Sequence, residues 1–191
     1  MRLPVKSING TPTSSLLLVD RDFRPTQTEG GIYLPDGAKE TTNVGVVRVS
    51  SGVSEFSEGE RVVFSERNLQ ELDGGLLLDD SCVYCAVDDK EFTLAGKDRV
   101  IVRLKQKGRE SGAILLTGNY VSNQSSIGRQ VYDVCEVLVS THPDIEAGMT
   151  VGTYPKRGIK MFHSDFPAII PEGEEWRVYK DDVDDSMFLI E

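Results

Sequence analysis

The chain runs through one order of short motifs twice, and this repetition limits the folds open to it more than any other feature. In each half, an apolar run is followed by a long polar segment with a small apolar motif. A β-branched run and a Gly-containing turn that leads into valine come next. The second passage begins after Ala95-Gly96-Lys97. Self-similarity at this spacing predicts a tandem duplication, with one copy in each half.

The apolar runs have the length and composition of β-strands. Val44–Val49 and Val134–Val139 are the clearest, because both are rich in β-branched residues. No segment carries an apolar stripe at helical spacing for more than about one or two turns. Short strands separated by frequent Gly and Asp turns predict an all-β fold of two small, partly closed antiparallel β-barrels in tandem.

The expected organisation has three parts. Residues 1–13 contain two prolines and few large apolar side chains, and we interpret them as an N-terminal arm. The first barrel is expected over residues 14–95 and the second over residues 96–191. The expected strands are Ser15–Val19 (stopped by Asp20–Asp22), Val44–Val49, Arg61–Phe64, Leu76–Leu78, Val83–Val87 and Phe92–Leu94, then Asp98–Arg103, Val134–Val139, Trp176–Tyr179 and Met187–Ile190.

Charge and cysteine content exclude several classes of function. The 191 residues include 31 acidic and 21 basic side chains, and the net charge of -10 repels nucleic acid phosphates and anionic lipid. The longest apolar runs are strand-sized and Met1–Val5 does not begin a signal peptide, so we expect no membrane segment. Three cysteines argue against a disulfide framework and for a reducing compartment, which makes the expected location cytoplasmic.

Two apolar motifs lie inside the long polar segments. Gly30–Pro35 lies within Thr26–Asn43, and Ser111–Gly118 lies within Lys105–Ser126. Consecutive large apolar side chains on such a segment either pair locally, as an inner hairpin, or are pressed into a groove on a partner. The residues by themselves leave both uses open.

With these motifs in this order, both halves resemble the GroES co-chaperonin family over nearly their whole length. Each single motif is common, but their order and spacing occur twice. In the first half, Gly30–Leu34 resembles the family's mobile-loop motif, Gly45–Val47 the strand after it, and Glu58–Val63 the approach to the next strand. In the second half, Asp98–Val102 resembles the family's opening strand and Gly112–Leu116 its mobile-loop motif. Glu136–Leu138 resembles the strand after the loop, and Ala147–Val151 more loosely resembles the approach to the next strand.

The chain also departs from the family pattern. The first half has Ser15-Leu16 where the family has Asp-Arg, and the second polar segment is longer than the first. The part that builds the roof hairpin of the co-chaperonin dome is reduced to Ser50–Ser57 and Ser140–Ile145. A ring built from such halves would be open at the top.

The resemblance implies a non-enzymatic co-chaperonin that forms a ring and caps a chaperonin ring to assist protein folding. The terminal strand, such as Met187–Ile190, would pair with the first strand of a neighbouring copy. Nucleotide would belong to the chaperonin, since this chain has no P-loop and no cofactor is expected. The implied partner-binding residues are Ile32, Tyr33, Leu34, Ile114, Leu115 and Leu116, and the implied hinge glycines are Gly30, Gly31 and Gly112.

A second hypothesis assigns the same fold a structural function in place of a chaperone function. The reduced roofs also fit a structural or decoration component of a viral capsid or another large assembly. Its partner would then be the major capsid protein and its location the virion. An enzyme is not expected: the barrel also occurs in medium-chain alcohol dehydrogenases, but no nucleotide-binding half follows here.

The cysteines and histidines do not predict a metal or catalytic site. Cys82 and Cys85 have C-x-x-C spacing, but Cys135 is the only other cysteine, so we interpret them as core residues. His142 and His163 have no nucleophile pattern nearby and are interpreted as turn or surface residues.

The acidic runs do not predict a cation site either. Asp79-Asp80, Asp88-Asp89 and Asp181–Asp185 lack the spacing of a calcium-binding loop, and we interpret them as solvated turns. Trp176 is expected to be a core or subunit-contact residue.

Overall fold

The computed structural model describes nine ranges of the chain: residues 7–8, 11–12, 15–23, 41–51, 53–65, 69–106, 132–154, 158–180 and 183–190. Regular structure in these ranges is almost entirely β-strand, so the predicted all-β class is confirmed. The chain divides into two compact units. Unit 1 comprises Met1–Ala95 and Ser164–Ile169, and unit 2 comprises Gly96–His163 and Ile170–Glu191.

Unit 1 contains a short N-terminal hairpin and a seven-stranded antiparallel sheet. The hairpin consists of β1 (Ser7–Ile8) and β2 (Thr11–Pro12). The sheet strands are β3 (Leu16–Phe23), β4 (Thr41–Ser50), β5 (Arg61–Phe64), β6 (Gln70–Leu72), β7 (Gly75–Asp79), β8 (Val83–Val87) and β9 (Phe92–Thr93). Their order in the sheet is β6-β7-β3-β4-β5-β8-β9. A 3-10 turn, Asp80–Cys82, joins β7 to β8.

Unit 2 contains a six-stranded antiparallel sheet and one helical turn. The strands are β10 (Arg99–Gln106), β11 (Asp133–Ser140), β12 (Thr150–Thr153), β13 (Ile159–Phe162), β14 (Glu175–Lys180) and β15 (Met187–Leu189). Their order in the sheet is β13-β14-β10-β11-β12-β15. The helical turn α1 (Val183–Ser186) joins β14 to β15.

The two sheets have the same strand order. The central strands β10, β11 and β12 of unit 2 correspond to β3, β4 and β5 of unit 1, and the flanking pair β13-β14 corresponds to β6-β7. At the other end β15 corresponds to β8, and α1 takes the position of the 3-10 turn. Strand β9 has no counterpart within the described part of unit 2.

Each unit has its own apolar core on one face of its sheet. Alternate residues of a strand share a face, which is why Leu17 and Val19 enter the core of unit 1 together. Phe56, from the bend between β4 and β5, fills that core, and Ile145 does the same in unit 2. The members of these two core clusters are Leu17, Val19, Val47, Phe56, Val62, Phe64, Leu78 and Val83 in unit 1, and Val100, Val102, Cys135, Val137, Ile145, Val151, Tyr179, Val183 and Met187 in unit 2.

Strand β3 is longer than its sequence predicts. The polar residues after Val19 indicate an end there, but the ladder with β4 continues to Phe23. Opposite charges meet these polar side chains, since Asp20 pairs with Arg48 and the Asp22 carboxylate lies 2.8 Å from Arg61. Polar residues on the solvent side of an antiparallel strand therefore extend β3 and do not end it.

Two elements of unit 2 lie where no strand or helix is predicted. Strand β13 alternates buried Ile159 and Met161 with more exposed neighbours, which is the strand period in a run of four residues. The helical turn α1 falls within the acidic run interpreted as a solvated turn, and its Val183 belongs to the core.

Candidate functional site

The predicted contact motifs fall in two segments that join neighbouring strands. We call residues 24–40, between β3 and β4, segment A, and residues 107–131, between β10 and β11, segment B. Ile32, Tyr33, Leu34, Gly30 and Gly31 of segment A lie outside the described residues, and so do Ile114, Leu115, Leu116 and Gly112 of segment B. The structure describes the strand pair that each segment leaves and re-enters, which we call its root.

Both roots are built on strand pairs whose register shifts at two places. The first shift is alike in the two units, but at the second the extra residues lie on β4 in unit 1 and on β10 in unit 2. In the β3–β4 ladder they fall between Leu18 and Val19 and between Arg21 and Phe23. In the β10–β11 ladder they fall at the corresponding places, between Ile101 and Val102 and after Leu104. A β-bulge bends its strand and increases the local twist, and so changes the direction in which the chain continues. The two segments therefore leave their sheets from corresponding strand ends, and each of these ends follows a shift in register.

A tight turn with a left-handed glycine supports the second strand of each root. Gly59 and Gly148 occupy its third position with φ of 89° and 90°, a conformation that a residue with a side chain seldom adopts. The turn in unit 1 is joined to Val47 by backbone N–H···O bonds of 2.8 Å. The turn in unit 2 is joined to Val137 by equivalent bonds of 2.8 and 2.9 Å. This geometry explains the Gly-x-x-Val pattern that the sequence repeats on entering β5 and β12, at Gly59–Val62 and Gly148–Val151.

Polar side chains fasten the root of segment A. The buried Thr42 hydroxyl donates to the carbonyl of Asp22 at 2.7 Å, and Arg21 Nε donates to the carbonyl of Thr42 at 2.7 Å. Arg61 then donates twice to the Asp22 carboxylate, from Nε at 3.0 Å and Nη2 at 2.8 Å. The Arg21 guanidinium lies 5.8 Å from the ring centroid of Phe64, within range of a cation–π contact. The two strand ends are thus cross-linked where the segment begins and ends.

Aromatic side chains fasten the root of segment B. The buried ring of Tyr132 lies 4.9 Å from Tyr154 and 4.5 Å from Phe188 between centroids. The Tyr132 and Tyr154 hydroxyls are 3.4 Å apart, and this hydrogen bond, with burial, raises the pKa of Tyr132 to about 12. The Phe188 ring fits closely over Gly152, where an added Cβ would lie 2.1 Å from a ring carbon. Only glycine leaves room for this packing.

A buried ionic cluster follows Tyr132 directly. Arg177 is almost fully buried and lies between two carboxylates, with Nη1 2.7 Å from Asp133 and Nη2 2.6 Å from Glu175. Burial opposes the charge of Arg177, but its bonds to Glu175 and its other neighbours outweigh this and raise its pKa. A buried guanidinium is tolerated when its fork is met by carboxylates in this way. In unit 1 the corresponding position holds Leu76, because Leu76 faces Val19 as Arg177 faces Val102.

An exposed charge network runs across the same strand pair in unit 2. Arg103 lies directly opposite Glu136, and their closest N···O distance is 2.5 Å. Lys105 approaches the same Glu136 oxygen at 3.1 Å, and Glu174 lies 3.4 Å from Arg103. Hydrogen bonds from Arg103 and then Lys105 lower the pKa of Glu136.

Comparison with known protein families identifies the first half. The family model described as the chaperonin 10 kDa subunit, Cpn10, matches residues 9–95. That range contains segment A, its root and every strand of the seven-stranded sheet. The first half of this chain is similar to the GroES co-chaperonin family. No curated protein matches the chain. The match ends where the second half begins.

The two cysteines of unit 1 lie in the 3-10 turn and in the strand that follows it. Cys82 is half-buried at the end of the 3-10 turn and Cys85 is buried on β8. In unit 2, Cys135 is buried in the core, and burial raises the pKa of its thiol. Within the part of the chain that the structure describes, no group of three or more His, Cys, Asp or Glu side chains is arranged to hold a metal ion. No helix in those ranges is long and apolar enough to span a membrane.

Several acidic side chains complete turns. Asp79 accepts from Ser81 N at 2.9 Å as the N-cap of the 3-10 turn, and Asp88 accepts from Lys90 N at 2.7 Å. Asp80 binds the bend before Phe56 through Ser54 Oγ at 2.7 Å, and burial raises the pKa of this carboxyl.

The histidines and the tryptophan of unit 2 have local partners. His142 Nδ1 accepts from Asp144 N at 3.2 Å, and His163 Nδ1 lies 2.7 Å from the carbonyl of Ile170. Trp176 is half-buried, and its Nε1 donates to Glu174 at 2.7 Å.

Sequence reasoning did not identify the side chains that hold the roots. The signal for the ionic cluster is the alternation Glu175-x-Arg177-x-Tyr179, which places three polar side chains on one face of a strand. Strand period normally separates a polar face from an apolar one, so this pattern indicates solvent exposure when it is seen alone. The cluster is buried because Asp133 and Glu175 neutralise the arginine.

Proposed function

We propose that this chain is a co-chaperonin-like protein that forms a ring and caps a chaperonin ring to assist protein folding. The observation that carries the proposal is the Cpn10 family match over residues 9–95, because it includes segment A together with its fastened root. The repeated strand order, bulges and turns of unit 2 support a second co-chaperonin-type barrel carrying segment B. The two segments would be the contacts to the chaperonin.

The chemistry of the segments suits reversible docking into an apolar groove. Burying each large apolar side chain of a segment contributes roughly 1.5–3 kcal/mol before the chain is ordered. Ordering a glycine-containing segment costs conformational entropy and offsets much of this gain. The net affinity of one segment is therefore small, and a ring that presents several segments together binds much more tightly. The proposed contacts are Ile32, Tyr33, Leu34, Ile114, Leu115 and Leu116, with Gly30, Gly31 and Gly112 as hinges.

The edge of the second sheet supports self-association. Strand β15 is the last strand of its sheet, and its outer side has no strand partner among the described residues. Leu189 on this strand is 54% exposed. In unit 1 the corresponding strand β8 is covered by β9. An open edge is a template for a strand of another chain, and the terminal strand at residues 187–190 is where we expect a neighbouring copy to pair.

The loop variants test the proposal. Changing Ile32 and Leu34, or Ile114 and Leu116, to serine should abolish binding to a chaperonin ring in the presence of its nucleotide. The far-ultraviolet circular dichroism spectrum and the melting temperature should not change. Val53→Ser is the matched control, since it removes an exposed apolar side chain of unit 1 that is not part of segment A.

Two results would contradict it. Unchanged binding by both double variants would mean that the segments are not the contacts. Global unfolding of the double variants, with a stable Val53→Ser protein, would mean that the apolar motifs are core residues of an inner hairpin.

One observation favours the second hypothesis, a structural component of a capsid or other large assembly. No strand occurs among the described residues between Ser50 and Arg61 or between Ser140 and Thr150, where the co-chaperonin roof hairpin is expected. On this hypothesis the protein co-purifies with assembled particles and contacts the major capsid protein. Its absence from purified particles would rule this hypothesis out.

A further inference from the structure

Unit 1 includes a short segment from the second half of the sequence. Residues 164–169, from the connection between β13 and β14, belong to the same compact unit as the seven-stranded sheet. We call these residues the strap. The equivalent connection in the first half, between β6 and β7, is a tight turn made of Asp73 and Gly74. The strap is therefore an addition that only the second half carries.

A proline turn gives the strap its shape. The carbonyl of Phe166 accepts from Ile169 N at 3.1 Å, which closes a turn with Pro167 in its second position. Proline suits this position because its φ is already fixed near the required value. Pro167 and Ala168 are exposed, whereas Phe166 is only 2% exposed. The strap is thus anchored in unit 1 through the Phe166 ring.

Phe166 contacts both ends of a row of side chains across β5, β8 and β9. Arg61 lies directly opposite Val87, and Val87 lies directly opposite Phe92, so these three side chains share one face of the sheet. The Phe166 ring meets Phe92 edge-to-face, with 4.9 Å between centroids. The Arg61 guanidinium lies 5.3 Å from the Phe166 centroid, and its Nη2 donates to the carbonyl of Asp165 at 3.3 Å.

Arg61 joins the strap to the root of segment A. Its Nη2 and Nε atoms also donate to one oxygen of Asp22, at 2.8 and 3.0 Å, and Asp22 is the last residue but one of β3. The Arg61 side chain is 39% exposed. An ion pair at such a position contributes little when the long side chain is free to move, because holding it in one geometry costs conformational entropy. The ring and the carbonyl of the strap hold the guanidinium in the orientation that pairs with Asp22.

We propose that the strap is a clamp on the root of segment A and that it acts by fixing Arg61 against Asp22. Releasing the strap frees the guanidinium, and the ends of β3 and β4 then open more often. In unit 2 the first residue of β12 is Thr150, which stands where β5 has Arg61. The clamp therefore controls segment A and not segment B. It is a property of the free protein and does not depend on the proposed chaperonin contact.

The test is amide hydrogen exchange on the full-length protein without a partner. Residues 21–23 and 41–43 report on the root of segment A, and residues 104–106 and 133–135 on the root of segment B. Phe166→Ala should speed exchange at the first root about tenfold, the effect of losing a cation–π contact and one net hydrogen bond, and should leave the second unchanged. Phe188→Ala is the matched control. It removes an aromatic side chain from the root of segment B, and it should speed exchange there and leave the root of segment A unchanged.

A double-mutant cycle tests whether the strap acts through Arg61. Phe166→Leu keeps a large apolar anchor but removes the aromatic face, and it should speed exchange at the root of segment A about threefold. Arg61→Met keeps an unbranched apolar side chain but removes the guanidinium. In the Arg61→Met protein, Phe166→Leu should have no further effect on this root. A residue that only fills space would have its full effect in both backgrounds.

The proposal fails if Phe166→Ala and Phe166→Leu leave the root of segment A exchanging at the wild-type rate, because the strand pair is then held without the strap. It also fails if exchange rises equally at both roots, which is the result expected of a general core residue, or if the two substitutions of the cycle are additive. Should Phe166→Ala not fold, Phe166→Leu and the cycle decide the question on folded protein.

Discussion

Replacing Arg177 by leucine tests the buried ionic cluster most directly. The change puts the residue of unit 1, Leu76, at the equivalent place in unit 2. It removes three close N···O contacts of 2.6 to 2.8 Å, and it leaves the Asp133 and Glu175 carboxylates without the guanidinium that lies between them. Breaking a buried ion pair on one side typically costs about 3–5 kcal/mol. Lys160, 3.6 Å from Glu175, remains as partial compensation, so we expect about 3 kcal/mol.

The measurement is urea unfolding followed by circular dichroism, with a thermal scan alongside. A loss of about 3 kcal/mol lowers the melting temperature by roughly 6–12 °C in a chain of this size. The triple variant Asp133→Asn, Glu175→Gln, Arg177→Leu carries no charge at these three positions. It should recover most of the stability that Arg177→Leu loses.

Arg103→Leu is the matched control for this prediction. It removes an arginine from the neighbouring strand of the same sheet, but one whose pairs with Glu136 and Glu174 are partly exposed. Exposed pairs contribute about 0–1 kcal/mol, so this variant should stay close to the wild type. The reasoning is refuted if Arg177→Leu costs no more than Arg103→Leu, or if the triple variant is less stable than Arg177→Leu alone.

Two further predictions concern unit 2. Gly152→Ala should destabilise the protein by about 1–3 kcal/mol, because the new methyl group overlaps the Phe188 ring, and Phe188→Leu in the same chain should relieve part of the loss in urea unfolding. Glu136 has a lowered pKa in the folded protein, so its contribution to stability is present above its unfolded pKa and is lost as the pH falls through the folded one. Glu136→Gln should therefore flatten the acid limb of the stability profile, and an unchanged limb would contradict the assignment to Arg103 and Lys105.

The strand pattern of the chain can largely be predicted from the sequence, because strand runs and their turns are local signals. Arg61–Phe64 and Val83–Val87 match β5 and β8 residue for residue. The expected strand Leu76–Leu78 lies within β7, which pairs with β6 across a turn with a left-handed Gly74. Local composition fixes these elements, since each is a short apolar run bounded by turn residues.

The errors come from residues whose environment is set by distant parts of the chain. Asp20 and Asp22 indicate the end of a strand when the sequence is read alone. In the fold, β4 and β5 bring Arg48 and Arg61 beside them, and the strand continues. The same holds for the side chains of the candidate site. Tyr132, for example, packs against Phe188, which is distant from it in the sequence. The apolar motifs of segments A and B, which the sequence singles out, lie outside the described residues and stay predictions.

Irregular features that both units share are the strongest support for the proposed duplication. Regular antiparallel strands pair in similar ways in many unrelated proteins, so a common strand order is weak evidence of common origin. Bulges are different, because each disrupts the ladder and is retained only where the fold needs it. Both units have a one-residue bulge at the same place in the first ladder, a left-handed glycine at the same turn, and the same bond from a backbone N–H to a hydroxyl at Leu16 and Arg99.

The differences between the units lie in side chains placed on that shared backbone. Leu16 corresponds to Arg99 and Leu76 to Arg177, so two apolar positions of the first half are cationic in the second. Changes of this kind remove the apolar pattern that a family comparison detects while leaving the ladder intact. We infer that the second half is a diverged copy of the first, in which buried charged residues stand where the first half has the partly buried Leu16 and Leu76.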